Sequence, residues 1–488
     1  MAKEKYYITT AIDYVNANPH LGHAMEKIQA DVLARYYRSI GEDVRFVSGT
    51  DENSLKNVQA AERAGKPVRE IVDANAGIFR AMGGALELSY DDFIRTTENR
   101  HVVAAQKLWQ ACARDIYKKT YSGLYCVGCE EYYKAEDLEN GLCPEHQKKP
   151  ELVEEENYFF RLSAYQGRIK ELIENGSIRI IPKGRENEVA SFIDSGVEDI
   201  CVSRSSVRAK GWGIPVPGDP TQIMWVWFDA LTSYIGVLGY GANEALFEQW
   251  WQNNPHITHV IGKGIVRFHA VYWIGMLLSA GLRVPSQIFV HGYITSEGQK
   301  MSKSLGNVVD PFALVKQYGA DAVRYFLLRE IPSTEDGDFS VARFEDRYNA
   351  DLAKGLGNFA SRVVTIAAKM EALNSRDSGD VAKEVAKAKE RCGLALRECK
   401  FNEALASIWE LIGFCDRYIE KKQPWKTNDK TSVANLMYAL EEIGKLIEPF
   451  MPETSKKIAR MAGGEKMVLF PRIEKTVQTS AEIPDRLA

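Results

Sequence analysis

Two short segments, His20-Leu21-Gly22-His23 and Lys300-Met301-Ser302-Lys303-Ser304, carry the residue types that handle a nucleoside triphosphate. The first follows an apolar run from Tyr6 to Ile12 that reads as a buried parallel strand. It then opens a helical pattern in which Met25, Ile28, Val32 and Tyr36 share one face, with Gly41 as the stop. Imidazoles at a helix N-terminus sit where unpaired N–H groups and the helix dipole favour phosphate. Gly22 leaves room for a ligand to approach the backbone. The second segment is bracketed by Gly298 and Gly306 and reads as a mobile catalytic loop. Its two lysines, flanked by hydroxyls, suit a transferring phosphate and its leaving pyrophosphate. Either segment alone also reads as a helix start or a solvated loop. Together, each after a strand-like run, they point to one site that holds a triphosphate.

Positioning such residues requires an open sheet. Up to about residue 112 the pattern alternates strand and helix, with a second strand over 43–49 and helical stretches at 60–63 and 68–79. From about 113 to 220 the texture changes to cysteines, tyrosine pairs and short turn-bounded strands, which reads as an insertion. Trp225-Val226-Trp227-Phe228 reads as a resumed strand, followed from Asp229 by a helical run, with further strands at 259–262 and 288–292. In open α/β sheets ligands bind beyond the carboxyl ends of the strands, where strand order reverses. Residues 13–18, Asp51, Gly262, Lys263 and His291 all fall at such ends. After Pro311 helical patterns run almost unbroken to about 460, then an extended stretch at 467–471.

The 488 residues suit about three domains. Lys and Arg number 62 against 66 Asp and Glu, a net charge of −4, so a nucleic-acid partner must meet a local basic surface. Met1-Ala2-Lys3-Glu4-Lys5 runs straight into the first strand and is expected to leave no room for a targeting peptide. No apolar stretch reaches the ~18 residues of a membrane span. Eight cysteines in a chain this long do not read as a disulfide scaffold, and a reducing cytoplasm is expected. Cys126-x-x-Cys129 and Cys143-x-x-His146 form two metal half-sites, and three thiolates with one imidazole make a closed tetrahedral set for structural zinc. Incidental residues or a disulfide are the alternative. Cys112, Cys201, Cys392, Cys399 and Cys415 read as small buried hydrophobes.

With these pieces on hand, the chain resembles the class I aminoacyl-tRNA synthetases, and among them the methionyl-tRNA synthetase family. The resemblance spans the whole length. It rests on the two opening segments, Gly49-Thr50-Asp51-Glu52, Val226-Trp227-Phe228-Asp229-Ala230, Ile261-Gly262-Lys263, His291-Gly292-Tyr293 and Pro424-Trp425. The single cysteine knuckle is similar to the one-zinc branch, and the family's appended dimerisation domain is expected to be lacking. The implied fold is α/β: a Rossmann-type parallel sheet split by a zinc-bearing connective insertion, then an all-α helical-bundle anticodon-binding domain. The implied segments are the first catalytic half at 1–112, the insertion at 113–220, the second half at 221–308, a stem-contact region at 309–346 and the helical domain at 347–488.

The resemblance implies ATP-dependent activation of L-methionine and transfer to tRNA(Met), initiator tRNA included. It also implies Mg²⁺ with the ATP, one structural Zn²⁺, a monomer, and a cytoplasmic setting without a membrane. His20, His23, Lys300 and Lys303 would be catalytic, and with Gly22, Gly262 and Lys263 would bind ATP. The methionine pocket maps onto Ile12, Tyr14, Asp51, Arg204, Trp227, Ala230, Leu231, Tyr234 and His291. In it Asp51 would take the ammonium, Tyr14 and Tyr234 would meet the sulfur, and Arg204 would lie on the carboxylate side. Trp227, Ala230 and Leu231 also read as ordinary core, and Asp51 as a helix cap. Asn358 and Arg362, one helical turn apart, match the family's anticodon-reading pair, with Trp425 as a stacking platform and Lys421, Lys422 and Lys426 near phosphates. An exposed polar pair and a core tryptophan are the alternative.

Two positions depart from the family pattern. Leu231 stands where some members carry proline, and Gly264 where an aspartate commonly contacts the ribose. The rival functions are a class I synthetase for another apolar amino acid, a small nucleotidylyltransferase, and a catalytically silent tRNA-binding homologue.

Overall fold

A computed structural model describes residues 3–129, 131–144, 147–301, 307–370, 376–377 and 379–474. Its packing divides the chain into two units, one made of Met1–Pro19, Glu42–Ala81 and Tyr90–Val290, the other of His20–Gly41, Met82–Ser89 and His291–Ala488.

The first unit is built on a parallel sheet. Its strands are β1 (Lys5–Thr10), β2 (Asp13–Tyr14), β3 (Asp43–Asp51) and β4 (Asp92–Arg95), joined much later by β8 (Arg179–Ile181), β13 (His256–Gly262) and β14 (Gln287–His291). The order is β2-β3-β1-β13-β14-β8, with β4 paired to β3. β1 lies between β3 and β13, in register Tyr6↔Val44 and Tyr6↔His256. Strand order therefore reverses at the β1–β13 boundary, where a parallel sheet opens a crevice. β1 reads KYYITT and β13 HITHVIG, β-branched and aromatic residues that fit a sheet covered on both faces. The first unit's helices are α2 (Leu55–Ala64), most of α3 (Val68–Ala85), α4 (Asn99–Ala111), α5 (Gln166–Glu174), α6 (Lys183–Asp194) and α7 (Val226–Gly236), while α1 (Leu21–Ser39) belongs to the second unit. The core is rich in large aromatics, with Trp251, Trp273, Phe228 and Tyr7 wholly buried; each such side chain stabilises by about 1.5–3 kcal/mol.

The expected strand at Trp225–Phe228 is corrected by the structure. Trp225 is the N-cap residue of α7, and every residue of α7 but Trp227 is buried. A helix enclosed on all sides has no polar face, so its sequence shows no 3.6-residue period and reads as a strand.

The insertion is a long antiparallel hairpin of β5 (Ile116–Cys126) and β7 (Glu151–Phe160), in register from Ile116↔Phe160 to Tyr125↔Glu151. β6 (Glu131–Tyr133) pairs with the far end of β5, and β9 (Ile200–Cys201) with β7. A second small sheet holds β10 (Ser203–Ser205), β12 (Asp219–Met224) and β11 (Pro215–Val216) in that spatial order. The inserted stretch is not wholly separate: β8, which lies within it, returns to the parallel sheet and pairs with β14 as Ile180↔Ile288.

In the second unit, a small sheet of β15 (Ile294–Ser296), β16 (Gln299–Lys300) and β17 (Gly337–Phe339) precedes and interrupts the helices, so the helical run expected after Pro311 is broken once by a strand. The main helices are Ala320–Arg329, Asn358–Ala367, Asp380–Arg397, Phe401–Lys422 and Lys430–Ile447. The expected extended stretch at 467–471 carries no regular strand. Arg324, with no exposed surface, ties α1 into this unit. It donates to Asp31 Oδ2 at 2.7 Å, Phe450 O at 2.7 Å, Pro449 O at 2.8 Å and Leu86 O at 3.1 Å. Breaking such a buried ion pair by removing one partner costs about 3–5 kcal/mol. Burial raises the Asp31 carboxyl, but Arg324 and then Arg35 outweigh it and hold the acid below its usual range.

Candidate active site

His20 and His23 cap α1 with each other's help. His20 Nδ1 accepts from the Gly22 N–H at 3.1 Å, and His23 Nδ1 accepts from the His20 N–H at 3.0 Å. This is a capping box in which imidazoles replace the usual hydroxyl and carboxyl. A ring nitrogen that accepts carries no proton, so in the neutral imidazole the proton sits on Nε2. The two rings, 3.8 Å apart, thus each carry an Nε2–H donor at the helix N-terminus. Burial, and then the neighbouring Lys27 ammonium, lower the His23 pKa to about 3. His23 is therefore neutral near pH 7. The room over Gly22 is taken by His20 itself: a Cβ there would meet His20 Cε1 at 2.9 Å.

Next to this pair, Glu26 bonds Lys27 Nζ at 2.8 Å and His291 Nε2 at 3.0 Å. Burial raises the Glu26 carboxyl, but Lys27 and His291 more than offset it, and the net pKa falls to about 2. His291 Nδ1 lies 2.8 Å from the Gly292 carbonyl oxygen. Both ring nitrogens of this expected pocket residue are thus engaged within the second unit.

The lysine segment begins as a hairpin. Thr295↔Lys300 and Ser296↔Gln299 pair across a two-residue turn, Glu297 at φ 53° and Gly298 at φ 74°. Two consecutive positive φ values make the turn that matches the twist of its strands. Lys300 thus lies on a short strand at the start of the expected mobile loop, and only its backbone is described. Lys303 lies outside the described residues.

In the first unit, the strand ends gather most of the expected methionine pocket. β2 pairs with β3 so that Tyr14 lies opposite Asp51, which is buried. Gly49 in β3 is needed because Ile94 crosses it: a Cβ would meet Ile94 O at 2.3 Å and Ile12 Cγ2 at 3.0 Å. Ile12, Tyr14 and the half-buried Trp227 pack against the core that holds Leu231 and Tyr234. Ala230 is buried on the same helix, α7. Gly262 and Lys263 follow at the end of β13. Arg204 is buried on β10, two residues from Val202, whose carbonyl accepts from the Trp225 N–H at 2.7 Å.

The histidine placed beside these residues is His269, which sequence reasoning missed. Its Nδ1 lies 2.9 Å from the Ile265 carbonyl oxygen and its Nε2 2.7 Å from the Tyr234 hydroxyl. A carbonyl only accepts, so in the neutral ring Nδ1 donates and Nε2 accepts from the Tyr234 O–H. Phe268 stacks on Trp227 with centroids 3.9 Å apart and planes 7° from parallel, so an aromatic wall adjoins the histidine. Beneath Tyr234, at 4.3 Å, stacks His259, which lies 2.7 Å from Thr9 Oγ1 and accepts from Trp273 Nε1 at 3.3 Å. The run Phe268-His269-Ala270-Val271-Tyr272-Trp273 was the available signal, a histidine inside an aromatic cluster soon after Gly262-Lys263.

At the far end of the hairpin, Cys126, Cys129 and Cys143 bring three Sγ atoms within 4.8 Å of one another. The Cys129 and Cys143 sulfurs are 3.4 Å apart, and all eight cysteines are outside disulfides. Two thiolates on one tetrahedral zinc, with bonds of about 2.3 Å, stand about 3.8 Å apart, so the cluster fits a metal ion. The expected fourth ligand, His146, lies outside the described residues.

On the helical side, Asn358 is exposed and Arg362 half-buried on the helix Asn358–Ala367. The Arg362 guanidinium lies over the Trp425 ring, 5.2 Å from its centroid, and bonds Glu420 at 2.6 Å. Trp425 is 43% exposed, on a short helix between Gln423 at φ 44° and Asn428 at φ 50°. It is a surface ring, not a core one. Among the described residues, no helix is long and apolar enough to cross a membrane.

The family model for class I tRNA synthetases (M) matches residues 6–149 and 129–364, and that for the anticodon-binding domain of tRNA ligases matches 380–485. The methionine--tRNA ligase of Brucella suis is 43% identical over 483 residues, covering 94% of this chain and 92% of its own. The chain belongs to the methionyl-tRNA synthetase family. A more distant member, the methionine--tRNA ligase of Thermotoga maritima, is 38% identical over 95% of this chain and 76% of its own. Among solved structures, Mycobacterium tuberculosis methionyl-tRNA synthetase in complex with methionyl-adenylate superposes with a TM-score of 0.89 at 37% identity, covering 96% of this chain and all of that one. The apo form of the same synthetase gives a TM-score of 0.83 at 34% identity, covering 97% of this chain and 99% of that one. The fold is accordingly the family's Rossmann-like parallel sheet with a helical anticodon-binding domain.

Proposed function

We propose that the chain activates L-methionine with ATP and transfers it to tRNA(Met), the initiator species included. A methionine carboxylate oxygen attacks the α-phosphorus, the bond to pyrophosphate breaks, and methionyl-adenylate forms. A hydroxyl of the tRNA's 3′-terminal adenosine then attacks the methionyl carbonyl, and AMP leaves. No side chain need become covalent; positioning and charge stabilisation carry the chemistry.

The observation that carries this reading is the pair of Nε2–H donors fixed at the N-terminus of α1. They meet phosphate oxygens without the reorganisation cost of loose donors. Gly22, Gly262 and Lys263 adjoin the nucleotide, and Lys300 and Lys303 stabilise the departing pyrophosphate. Asp51 receives the ammonium. Tyr14, Tyr234, Trp227 and His269 surround the thioether, a soft sulfur favoured beside aromatic rings, with Ile12, Ala230 and Leu231 as apolar lining. Arg204 faces the carboxylate side. Mg²⁺ would arrive with the ATP and would offset the charge of its phosphates. Cys126, Cys129 and Cys143, with His146 as the expected fourth ligand, would hold a structural Zn²⁺ at the hairpin tip. Asn358, Arg362 and Trp425 receive the anticodon, and the protein works as a cytoplasmic monomer.

Aminoacylation of tRNA(Met) by the purified chain tests this reading. Methionine-dependent charging with about one zinc per chain is the expected result. Charging by another amino acid, or zinc below half an equivalent, contradicts the corresponding part.

A further inference from the structure

Behind the pocket lies a polar network with no part in the chemistry above. His101 on α4 and Asp229 on α7 are 0% and 1% exposed, and His101 Nε2 is hydrogen-bonded to Asp229 Oδ1. The other Asp229 oxygen accepts from Asn53 Nδ2 at 2.7 Å, and the same amide donates to Thr96 O at 3.2 Å. The Asn53 N–H reaches Asp51 Oδ1 at 3.4 Å. The intervening backbone is held as well: Asn57 donates to Asp51 O at 3.1 Å, Trp212 Nε1 to Glu52 O at 2.7 Å, and the Glu52 N–H to Thr96 Oγ1 at 2.8 Å.

Taking a carboxylate out of water costs several kcal/mol, and apolar residues of similar volume would pack these elements more cheaply. What Asp229 adds is a fixed position. It sits in the first turn of α7, the helix that carries Trp227, Ala230, Leu231 and Tyr234, and its bond to Asn53 ties that turn to the end of β3, which carries Asp51.

We propose that Asp229, held by His101, is a positioning residue that, through Asn53, sets the span between the Asp51 carboxylate and the α7 wall, and so the side-chain length the pocket accepts. The inference rests on the reading of Asp51 as the ammonium partner. A rigid span is what separates methionine from amino acids one methylene longer or shorter, since one methylene in an apolar pocket is worth only about 10–200-fold.

The test is ATP–pyrophosphate exchange by the full chain with methionine, ethionine and homocysteine, for Asn53→Ala and Asp229→Asn, alongside thermal melting. Loosening the span is expected to raise the methionine KM about tenfold, leave the ATP KM within about twofold, and cut the preference for methionine over ethionine about fivefold or more. Unchanged preference, or equal rises in both KM values, would overturn the proposal even where melting temperature falls. Asn53→Ala removes one link and carries the test if Asp229→Asn does not fold. Asp51→Asn separates the two readings: if it leaves the methionine KM unaltered, the ammonium assignment fails, while the preference ratio of the Asn53 variant still reports on the span.

Discussion

His23 accepts a hydrogen bond from the backbone N–H of His20 at 3.0 Å, while His20 caps the same helix through Gly22 at 3.1 Å. Capping and phosphate binding therefore use opposite nitrogens of the same rings. The two roles separate in His20→Asn. Asparagine caps as well as any residue, so unfolding free energy should change by less than about 0.5 kcal/mol. The Nε2–H donor is lost, so kcat for adenylate formation should fall about 100-fold. Chemical denaturation and pyrophosphate exchange on the same preparation check both halves. A large stability loss with a proportionate activity loss would mean that the imidazole acts only as a cap.

Tyr234→Phe should act on methionine, not on ATP. It removes the O–H that occupies His269 Nε2, in the pocket proposed for the thioether. The methionine KM should rise about tenfold with kcat little changed, the mark of a contact made equally in ground and transition states. Steady-state exchange with each substrate varied in turn measures this; a selective rise in the ATP KM would contradict it.

Trp425→Ala should weaken tRNA charging without touching adenylate formation. The ring is 43% exposed and stacked under Arg362, so its removal should cost the fold less than about 1 kcal/mol. A base stacked on such a ring is worth about 1–3 kcal/mol, so kcat/KM for tRNA should drop about 10–100-fold. Parallel charging and exchange assays decide it. An equal loss in both would make Trp425 a structural residue.

Acid should destabilise the protein through two histidines. Burial, and then His269, hold the His259 pKa well below its ordinary value, and His23 sits at about 3. Both are neutral in the fold near pH 7 and protonate in the unfolded chain below about 6.5. The unfolded state then binds more protons, so the stability they contribute is full above pH 6.5 and is lost as pH falls below it. Each should add to the loss of stability as pH falls from 7 toward 5. Denaturation from pH 7 to 5 should show a shallower slope in His259→Gln, whatever that variant's absolute stability. An unaltered slope would exclude His259 as a source.

The sheet and the helix start at His20–His23 were legible because their signals are local. β1, β3, β13 and β14 are apolar runs bounded by turns, and α1 announces itself by period and by Gly41 at φ 95°. What was not legible depended on distance. The helix from Asp229 was legible, but its first turn, Val226–Phe228, is an apolar run that reads equally as strand, and β8, three residues long, is a strand only because β14 lies beside it. His269 looks like one more core side chain until Tyr234, 35 positions away, is brought to its Nε2. His291 stands at a strand end, as the sequence suggested, and the partners of its nitrogens, Glu26 and Gly292, are visible only in the fold. The lysine segment was read as a loop because its glycines were taken for hinges, and Gly298 proved to be half of a hairpin turn.

The central claim is that the pocket selects methionine and that the histidine–lysine constellation drives pyrophosphate release. Amino-acid-dependent ATP–pyrophosphate exchange across a panel, run on the wild-type chain and on Lys303→Ala, tests both parts. Exchange with methionine alone, falling about 100-fold in kcat but little in methionine affinity for the variant, is the predicted result. Exchange driven by leucine or valine, no exchange at all, or equal loss of rate and affinity would contradict the account.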